Sequence, residues 1–516
     1  MPTFAWLTVP AALSFRGERR RVSILPIAIA LIMAVGTGAA NAATAIGTQF
    51  LLFELAPSVP AVAEQPAGIA GKSEMKKEVD DVVSSIGIRG DHLKRQLGFT
   101  IGPLMFDLSD EQLRAYIREA FQVAEETDVA VAFHIDDSMF WNNRKDLWSV
   151  KDNVEWSDWS GTVVPHRIIG WVIGGKPVLA PPMCYNSPAI TNEARRLARD
   201  VIGSEIKKNI DRLYAMGKSY LFAGVIAGWE TRMQDDSQPP VFYGYCALHN
   251  LGYSAGNPPP DADQALEGVV REWVKVWTRS LREAGIPRDR IYTHNGTARA
   301  DAPSFVRNAL RNYYKDARPS ITAFNEYSYP GFSHPAGNPG GFAQIYKLLA
   351  AKNNPPWGIS EGAGVAGSDP FRNDAKGPAE GGSYDHLIEQ FLAGAMNHGA
   401  IYVNIFGWSH EDNAFSRTAT AASSIEAYRK FLKGDPLADA GAQPTPPPSA
   451  ASPGDMLPNK IQTIQTGAAA WMQAHPDRQM ELRSLFIKLD GFLREQKEQE
   501  ANEIADAILR LIDNPK

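Results

Sequence analysis

The chain has 516 residues, 44% of them hydrophobic and 10% aromatic, and a formal net charge of −6. This composition supports a sizeable hydrophobic core and excludes a chain that is disordered throughout. No basic block or strong charge imbalance indicates a nucleic-acid surface, so no nucleic-acid partner is expected.

The first segment has the pattern of an export signal. An arginine triplet ending at Arg21 precedes an apolar run from Val22 to Val35, and the small residues Ala40 and Ala42 fit a cleavage site. A membrane anchor is the alternative, but the run is shorter than the roughly 18 residues of a spanning helix. We therefore expect residues 1–42 to be a cleaved signal, the protein to be secreted or periplasmic, and no membrane span to remain.

Composition divides the rest of the chain. Residues 43–90 are Ala/Pro/Gly-rich and then charged, which predicts a tether followed by a helix over Glu74–Ile86. Residues 435–458 contain the stretch PTPPPSAASPGD and predict a Pro-rich linker. Beyond it, apolar residues at helical spacing predict a small helical domain over 459–516, which is expected to contact the central domain or another chain. Residues 91–434 remain for that domain.

The sequence contains two cysteines, Cys184 and Cys246. Export would permit a disulfide, and two buried thiols are the other possibility. The chain has no CxxC motif and no His/Cys cluster with zinc spacing, so neither a metal nor another cofactor is expected.

Between residues 91 and 434, strand-like and helix-like segments alternate. Helical patterns lie between many of the apolar runs, and Ser109 with Gln112 forms a capping-box signature after the first run. Such alternation predicts an α/β fold, a (β/α)8 TIM barrel with a C-terminal helical appendage. An open doubly wound sheet is the alternative, but no glycine-rich phosphate turn follows the first strand. The eight predicted strands are Phe99–Phe106, Val129–Ile135, Ile168–Leu179, Tyr220–Ala227, Ile291–His294, Ile321–Phe324, Trp357–Ser360 and Ile401–Phe406.

Polar and aromatic side chains follow most of these runs. In a barrel the carboxyl ends of the strands meet at one mouth, so these side chains are predicted to line a substrate site. The candidates for substrate binding, in chain order, are His134, Asp136, Asp137, Trp141, Asn186, Trp229, His294, Asn295, Asn325, Glu326, Tyr327, Tyr329, Trp408 and His410.

Two of the predicted strands end on a glutamate. The fourth ends in GVIAGWE with Glu230, and the seventh ends in GISEG with Glu361. Cleavage of a glycosidic bond requires a proton for the leaving oxygen and an anion, or an activated water, at the anomeric carbon. Two carboxyl groups in different surroundings supply both. We therefore predict that Glu230 and Glu361 are catalytic.

Aromatic residues support a carbohydrate substrate. Indole and phenol rings offer flat apolar faces with a polar edge, which suit the faces of sugar rings. Many of these rings are expected to belong to the core instead, and Trp141 and Trp408 are the best candidates for sugar contacts.

From about Gly98 to Lys433 the chain resembles the clan of retaining glycoside hydrolases that are built on (β/α)8 barrels. The resemblance rests on strand order and a few residues. It implies that Glu230 is the acid/base at the end of the fourth strand and Glu361 the nucleophile at the end of the seventh. It also implies that Tyr327 or Tyr329 lies near the nucleophile and that Trp408 ends the eighth strand.

One residue departs from the clan's pattern. The clan usually places an asparagine before the acid/base, where it contacts the sugar 2-hydroxyl, and here that residue is Trp229. Asn186, Asn295 or Asn325 are possible substitutes. The mismatch leaves open an inverting hydrolase similar to β-amylases.

Three further interpretations remain open. If the strand count is wrong, the Asn325-Glu326 pair would be the acid/base site. A metal-dependent barrel hydrolase would use the HIDD stretch from His134, together with His294, His410 and Asp412. A carbohydrate-binding protein without catalysis would have no turnover.

Overall fold

The structure is a computed structural model. It describes residues 48–55, 58–59, 68–69, 71–168, 178–233, 243–295, 298–299, 317–318, 321–334, 339–362, 387–408, 414–438, 460, 464, 471, 475, 478–494 and 498–513. The chain divides into two units, residues 1–45 and 46–516. The predicted signal (1–42) and most of the predicted linker (435–458) lie outside the described residues.

The second unit contains a closed barrel of eight strands. Each strand pairs in parallel with its neighbours in chain order, and the first pairs with the last, which closes the wall. The predicted (β/α)8 fold is therefore confirmed. The strands are β1 Gln49–Leu55, β2 Arg95–Leu104, β3 Ala130–Ile135, β4 Phe222–Thr231, β5 Ile291–Asn295, β6 Gly331–His334, β7 Trp357–Gly362 and β8 Ala400–Ile405.

Helices alternate with these strands. The predicted capping box is present: Ser109 Oγ accepts from the backbone of Gln112, whose side chain accepts from the backbone of Ser109. The predicted N-terminal helix is also present, and it begins at Lys72 rather than Glu74. In the described residues, the helices of eight or more residues are Lys72–Ile86, Asp110–Thr127, Pro188–Arg196, Ser204–Ala215, Ala262–Glu283, Pro339–Ala350, Leu387–Met396, Ala422–Lys433, Gln479–Arg494 and Glu498–Asp513, with a π-helical segment at Leu197–Gly203.

Three strand predictions are wrong. The stretch QFLLFEL, placed in the tether (43–90), forms β1, so the barrel begins at Gln49 rather than at residue 91. The predicted third strand is not in the barrel, because Arg167–Ile168 and Val178–Leu179 pair with each other in a separate two-stranded sheet. Ile321–Ala323 is a 3-10 helix, and the sixth strand comes later, at Gly331–His334.

Strand β1 is apolar almost throughout because both of its faces are buried. Leu51 and Phe53 face the helices and join the large outer core, whereas Phe50 and Leu52 point into the barrel and join a smaller inner cluster. The alternation places Glu54 on the inner side, above that apolar layer. The inner wall therefore changes from apolar to polar toward the carboxyl ends of the strands.

The helices Gln479–Arg494 and Glu498–Asp513 share a core of their own, which includes Leu482, Ala505 and Ile508. Both helices lie within the range 459–516 that the sequence assigns to a small helical domain. No described helix is both long enough and apolar enough to cross a membrane. Cys184 and Cys246 are buried free thiols.

Candidate active site

Strand β4 presents Glu230 through an irregular ending. The pairing of β4 with β5 shifts register between Ala227 and Thr231. Within this bulge Gly228 has φ +106° and Glu230 has φ +53°, a left-handed conformation that is uncommon for a residue other than glycine. Bulges re-aim side chains beside active sites. Here the bulge directs the Glu230 side chain, which is only 15% exposed, toward the barrel mouth.

Strand β7 presents Glu361 in a comparable way, since its pairing with β8 shifts register between Ile359 and Gly362. One carboxylate oxygen of Glu361, one of Glu230 and a ring nitrogen of His294 all lie within 4.8 Å of one another. The two glutamates predicted from the sequence therefore face each other across one small gap.

Two donors hold the Glu230 carboxylate. Arg232 Nη1 donates to Oε2 at 2.5 Å, and Ser333 Oγ donates to Oε1 at 2.8 Å. Because both donors favour the ionised carboxylate, the surroundings of Glu230 stabilise its negative charge.

A buried hydrogen-bond chain leads from this carboxylate across the barrel. Ser333 Oγ lies 2.6 Å from His294 Nε2, and His294 Nδ1 lies 2.9 Å from His134 Nε2. His134 Nδ1 is in turn 2.9 Å from Glu54 Oε1. Both rings are fully buried. Four barrel strands, β1, β3, β5 and β6, thus supply one continuous chain that ends on Glu230.

Further contacts fix the far end of this chain. Asn404 Nδ2 donates to Glu54 Oε2 at 2.6 Å and to the Ser360 carbonyl at 2.8 Å. The Trp229 indole stacks on the His134 ring, with centroids 4.2 Å apart and planes inclined by 17°. Neither side chain of the Glu54–His134 pair can move without breaking these contacts.

His294 and Glu361, which lie close to Glu230, both have shifted pKa values. Burial lowers the pKa of His294 well below its ordinary value, and the adjacent His134 lowers it further. Burial raises the pKa of Glu361 well above its ordinary value, and the nearby carboxylates of Glu230 and Glu54 add to the increase. His294 is therefore neutral, and Glu361 holds a proton more tightly than an ordinary glutamate.

Asp137 secures the backbone around Glu230. Its carboxylate accepts from the Trp229 backbone at 3.2 Å, from Thr231 Oγ1 at 2.8 Å and from Trp273 Nε1 at 2.8 Å. Burial raises the pKa of Asp137, while these three donors act in the opposite direction. Asp137 thus contributes to the site by holding both neighbours of Glu230.

Glu230, His294 and Glu361 form a group of the size that can hold a cation. However, His294 Nε2 lies against Ser333 Oγ, and Arg232 already supplies a positive charge to Glu230. The carboxylate of Asp136, from the HIDD stretch, accepts from the backbone of residues 138–140. These contacts give no reason to assign a metal ion to the group.

Four candidates lie at the opposite end of the barrel. Asn325, Glu326, Tyr327 and Tyr329 precede β6, and the Tyr329 backbone donates to the carbonyl of Ile291, the first residue of β5. They therefore lie at the amino ends of the strands. Glu326 is exposed there, so the alternative acid/base site at Asn325-Glu326 is wrong, as is a position for Tyr327 or Tyr329 beside Glu361.

The two tryptophans favoured for sugar contacts are not available for them. Trp141 is fully buried and donates to the Pro181 carbonyl at 3.1 Å. Trp408 is 6% exposed, packs edge-on against Phe53 on the outer side of β1, and donates to Asp81 of the N-terminal helix at 3.0 Å. Both belong to the packing between the barrel wall and its surroundings.

Two asparagines are also engaged away from the carboxylate pair. Asn186 donates to the Ala247 carbonyl at 2.9 Å, and Asn295 donates to Thr322 Oγ1 at 2.8 Å. Neither replaces the clan's asparagine before the acid/base. His410 and Asp412 lie outside the described residues.

Sequence reasoning misses Glu54, Arg232, Ser333 and Asn404. Glu54 follows an apolar run, which is the signal that identifies Glu230, but the pattern around that run favours the tether. Arg232 lies two residues after Glu230, close enough in a strand to share its side. Ser333 could be found only by placing the four-residue strand β6 correctly.

No family model and no curated protein sequence matches this chain. Among solved structures, it is similar to the catalytic domain of β-amylase from Paenibacillus polymyxa, at 10% identity and a TM-score of 0.45, covering 75% of this chain and 100% of that one. It is similar to a glycoside hydrolase family 5 enzyme from Prevotella bryantii, at 10% identity and a TM-score of 0.37, covering 75% and 96%. It is also similar to the cellulose synthase subunit Z of Clostridioides difficile, at 10% identity and a TM-score of 0.35, covering 74% and 99%. Likenesses this distant carry no argument about the chemistry, for which the geometry of this chain is the evidence.

Proposed function

We propose that the protein is a glycoside hydrolase that cleaves a poly- or oligosaccharide with Glu230 and Glu361. The observation that carries this proposal is the approach of their carboxylate oxygens, within 4.8 Å, at the carboxyl ends of β4 and β7. One glutamate is held as an anion by Arg232 and Ser333, and the other has a raised pKa. An anion and a proton donor on either side of a small gap are what glycoside hydrolysis requires.

The short separation supports retention of the anomeric configuration. The two carboxyl groups are about 5–5.5 Å apart in retaining enzymes and about 6.5–9.5 Å apart in inverting ones, which need room for a water molecule. Two oxygens within 4.8 Å of each other favour the first arrangement. The retaining reaction passes through a glycosyl ester on one glutamate, and the other glutamate protonates the leaving oxygen and then activates water.

The test is turnover by the protein of a panel of p-nitrophenyl α- and β-glycosides and of soluble α-glucans, β-glucans and xylans. Glu230→Gln and Glu361→Gln should each lower turnover by about three orders of magnitude or more. Glu326→Gln is the matched control, because Glu326 is exposed at the amino ends of the strands and its loss should leave turnover unchanged. Absence of turnover on every substrate would instead favour a carbohydrate-binding protein.

Proton NMR of the first product separates the two stereochemical outcomes. Retention predicts that the first product has the same anomeric configuration as the glycosidic bond of the substrate. Initial release of the anomer opposite to the substrate's configuration would show inversion, which is the β-amylase-like alternative.

We also propose that the protein is exported, on the basis of the arginine triplet, the apolar run and the small residues up to Ala42. Fractionation of expressing cells should find the protein outside the cytoplasm. Its N-terminus should then be Ala43, whereas an intact N-terminus in the cytoplasm would contradict export.

A further inference from the structure

We infer that Glu230 is the nucleophile and Glu361 the acid/base, which reverses the roles implied by the resemblance, and that a buried hydrogen-bond chain from Glu54 fixes this division. The inference rests on the proposed two-glutamate reaction. Glu54, His134, His294 and Ser333 are positioning residues in it, since they act on substrate only through Glu230.

The direction of proton donation along the hydrogen-bond chain follows from a contact with one backbone carbonyl oxygen. His134 Nε2 lies 3.0 Å from the Gly228 carbonyl oxygen and 2.9 Å from His294 Nδ1. A carbonyl oxygen can only accept, so His134 Nε2 carries a proton. In the opposite direction, with His294 donating to His134, a nitrogen lone pair would face that oxygen. The carbonyl therefore makes His134 the donor and His294 Nδ1 the acceptor.

The remaining proton positions follow in sequence. Neutral His294 with an accepting Nδ1 must carry its proton on Nε2, which donates to Ser333 Oγ at 2.6 Å. Ser333 has a single hydroxyl proton, and it points to Glu230 Oε1 at 2.8 Å. A protonated Glu230 that donated to Ser333 is not compatible with this order of donors and acceptors, because the Ser333 proton would then have no acceptor on Glu230. The chain thus requires an accepting, ionised Glu230.

The contacts of Glu54, at the far end of the hydrogen-bond chain from Glu230, agree with this direction of donation. Glu54 accepts from Asn404 on one carboxylate oxygen and faces His134 Nδ1 with the other, so the contact to Glu54 uses Nδ1 and leaves Nε2 for the Gly228 carbonyl and His294.

Among the described residues, no donor equivalent to Arg232 or Ser333 contacts Glu361. Within the described part of the chain, its nearest basic atom is His294 Nε2, 3.6 Å from Oε2, and that atom is directed at Ser333. Arg232 contacts Glu230, and its charge opposes the increase in the pKa of Glu361 without cancelling it. With Glu230 ionised nearby, the proton belongs on Glu361, as the raised pKa of that group also indicates.

The two steps balance with these roles. A Glu230 oxygen attacks the anomeric carbon while the bond to the leaving oxygen breaks and takes the Glu361 proton. Glu361, now ionised, removes a proton from water. The water oxygen attacks the anomeric carbon, the ester bond to Glu230 breaks, and both side chains return to their starting states.

A covalent label tests the nucleophile. The protein is incubated with the 2-deoxy-2-fluoro glycosyl fluoride of the sugar that is turned over in the p-nitrophenyl panel, and digested peptides are analysed by mass spectrometry. A sugar adduct on Glu230 is expected. An adduct on Glu361, or turnover without an adduct, overturns the assignment while leaving glycoside hydrolysis established. Failure of turnover with every glycoside refutes the proposed function itself.

The pH profile tests the hydrogen-bond chain. Ser333→Ala removes a donor to the anionic form of Glu230, so its ionisation requires a higher pH. If Glu230 must be ionised to attack, the acidic limb of kcat/KM for a p-nitrophenyl glycoside moves up by about one pH unit. Movement of the basic limb instead would make Glu230 the proton donor and overturn the inference. If neither limb of the pH profile moves, the hydrogen-bond chain does not influence the ionisation on which the reaction depends, and the inference is overturned. Ser280→Ala, within an outer helix, should leave both limbs in place.

Discussion

Asp137 Oδ2 accepts a hydrogen bond from Thr231 Oγ1 at 2.8 Å, and this contact links the end of β3 to the residue that follows Glu230. The other oxygen of the same carboxylate accepts from the backbone of Trp229, the residue before Glu230. A single buried side chain therefore fixes both peptide neighbours of a glutamate whose φ is +53°.

We predict that Asp137→Asn lowers kcat/KM by about 100-fold, because its amide cannot accept from three donors and Glu230 would shift from its position. Steady-state kinetics on the accepted p-nitrophenyl glycoside provide the measurement, with circular dichroism to confirm folding. Asp211→Asn, at a 62% exposed position, should retain full activity. Equal losses in both variants would argue against a role for Asp137 in positioning.

Replacing Gly228 should disturb the bulge itself. A Cβ at this position would lie 2.4 Å from Thr231 Oγ1 and 3.0 Å from the His294 carbonyl. Gly217 provides the matched control, because it also has positive φ but a Cβ there would meet nothing within 4 Å. Gly217→Ala should cost only the backbone strain of about 1 kcal/mol. Gly228→Ala should be less stable than Gly217→Ala and at least about 10-fold less active. Urea unfolding and kinetics would show whether the two variants differ.

The Glu54–His134 pair should contribute strongly to stability. Glu54→Gln removes one partner from a pair whose side chains are 2% and 0% exposed, and leaves the other without its counter-charge. Breaking such a pair costs about 3 kcal/mol in the free energy of unfolding. Urea denaturation measures this loss. Glu74→Gln, on the exposed side of the N-terminal helix, should change stability by less than about 0.5 kcal/mol.

Glu155 should make stability depend on pH. Burial raises its pKa to about 8, against the donors that contact it, including the Cys246 backbone at 3.2 Å. Because the native state holds this proton more tightly than the unfolded chain, the stabilisation is fully present below about pH 4.5 and is lost as pH rises through about 8.

Glu155→Gln cannot titrate, so its free energy of unfolding should fall less between pH 5 and pH 8 than that of the unchanged protein, by up to about 4 kcal/mol. Urea unfolding at several pH values measures both slopes. Parallel slopes would mean that Glu155 is already ionised in the folded protein.

The sequence is sufficient to predict the barrel and the strand positions of the two glutamates, although three strand predictions are wrong. The apolar run of β1 follows an Ala-rich segment and precedes a Pro-rich one, which favours the tether over a strand. The run at 168–179 is counted as a strand instead. One missing strand and one extra strand cancel, so Glu230 and Glu361 still end the fourth and seventh strands.

The supporting residues cannot be predicted in the same way. The true β6 has only four residues and contains Gly331 and Ser333, so it lacks the apolar pattern of a buried strand. Its misplacement moves the expected sixth-strand residues to the wrong end of the barrel. Likewise, the hydrogen-bond chain depends on which side chains point inward at the same height, and strand register is not visible in a single sequence.

The contact between β1 and β8 determines when the site can assemble. Glu54 is held by Asn404, 350 positions further along the polypeptide. Until β8 has been synthesised, the N-terminal part of the chain cannot form the contact that holds Glu54, and the barrel cannot close. A truncation before residue 400 removes β8, so the barrel should stay open and the proposed hydrolase activity should be absent.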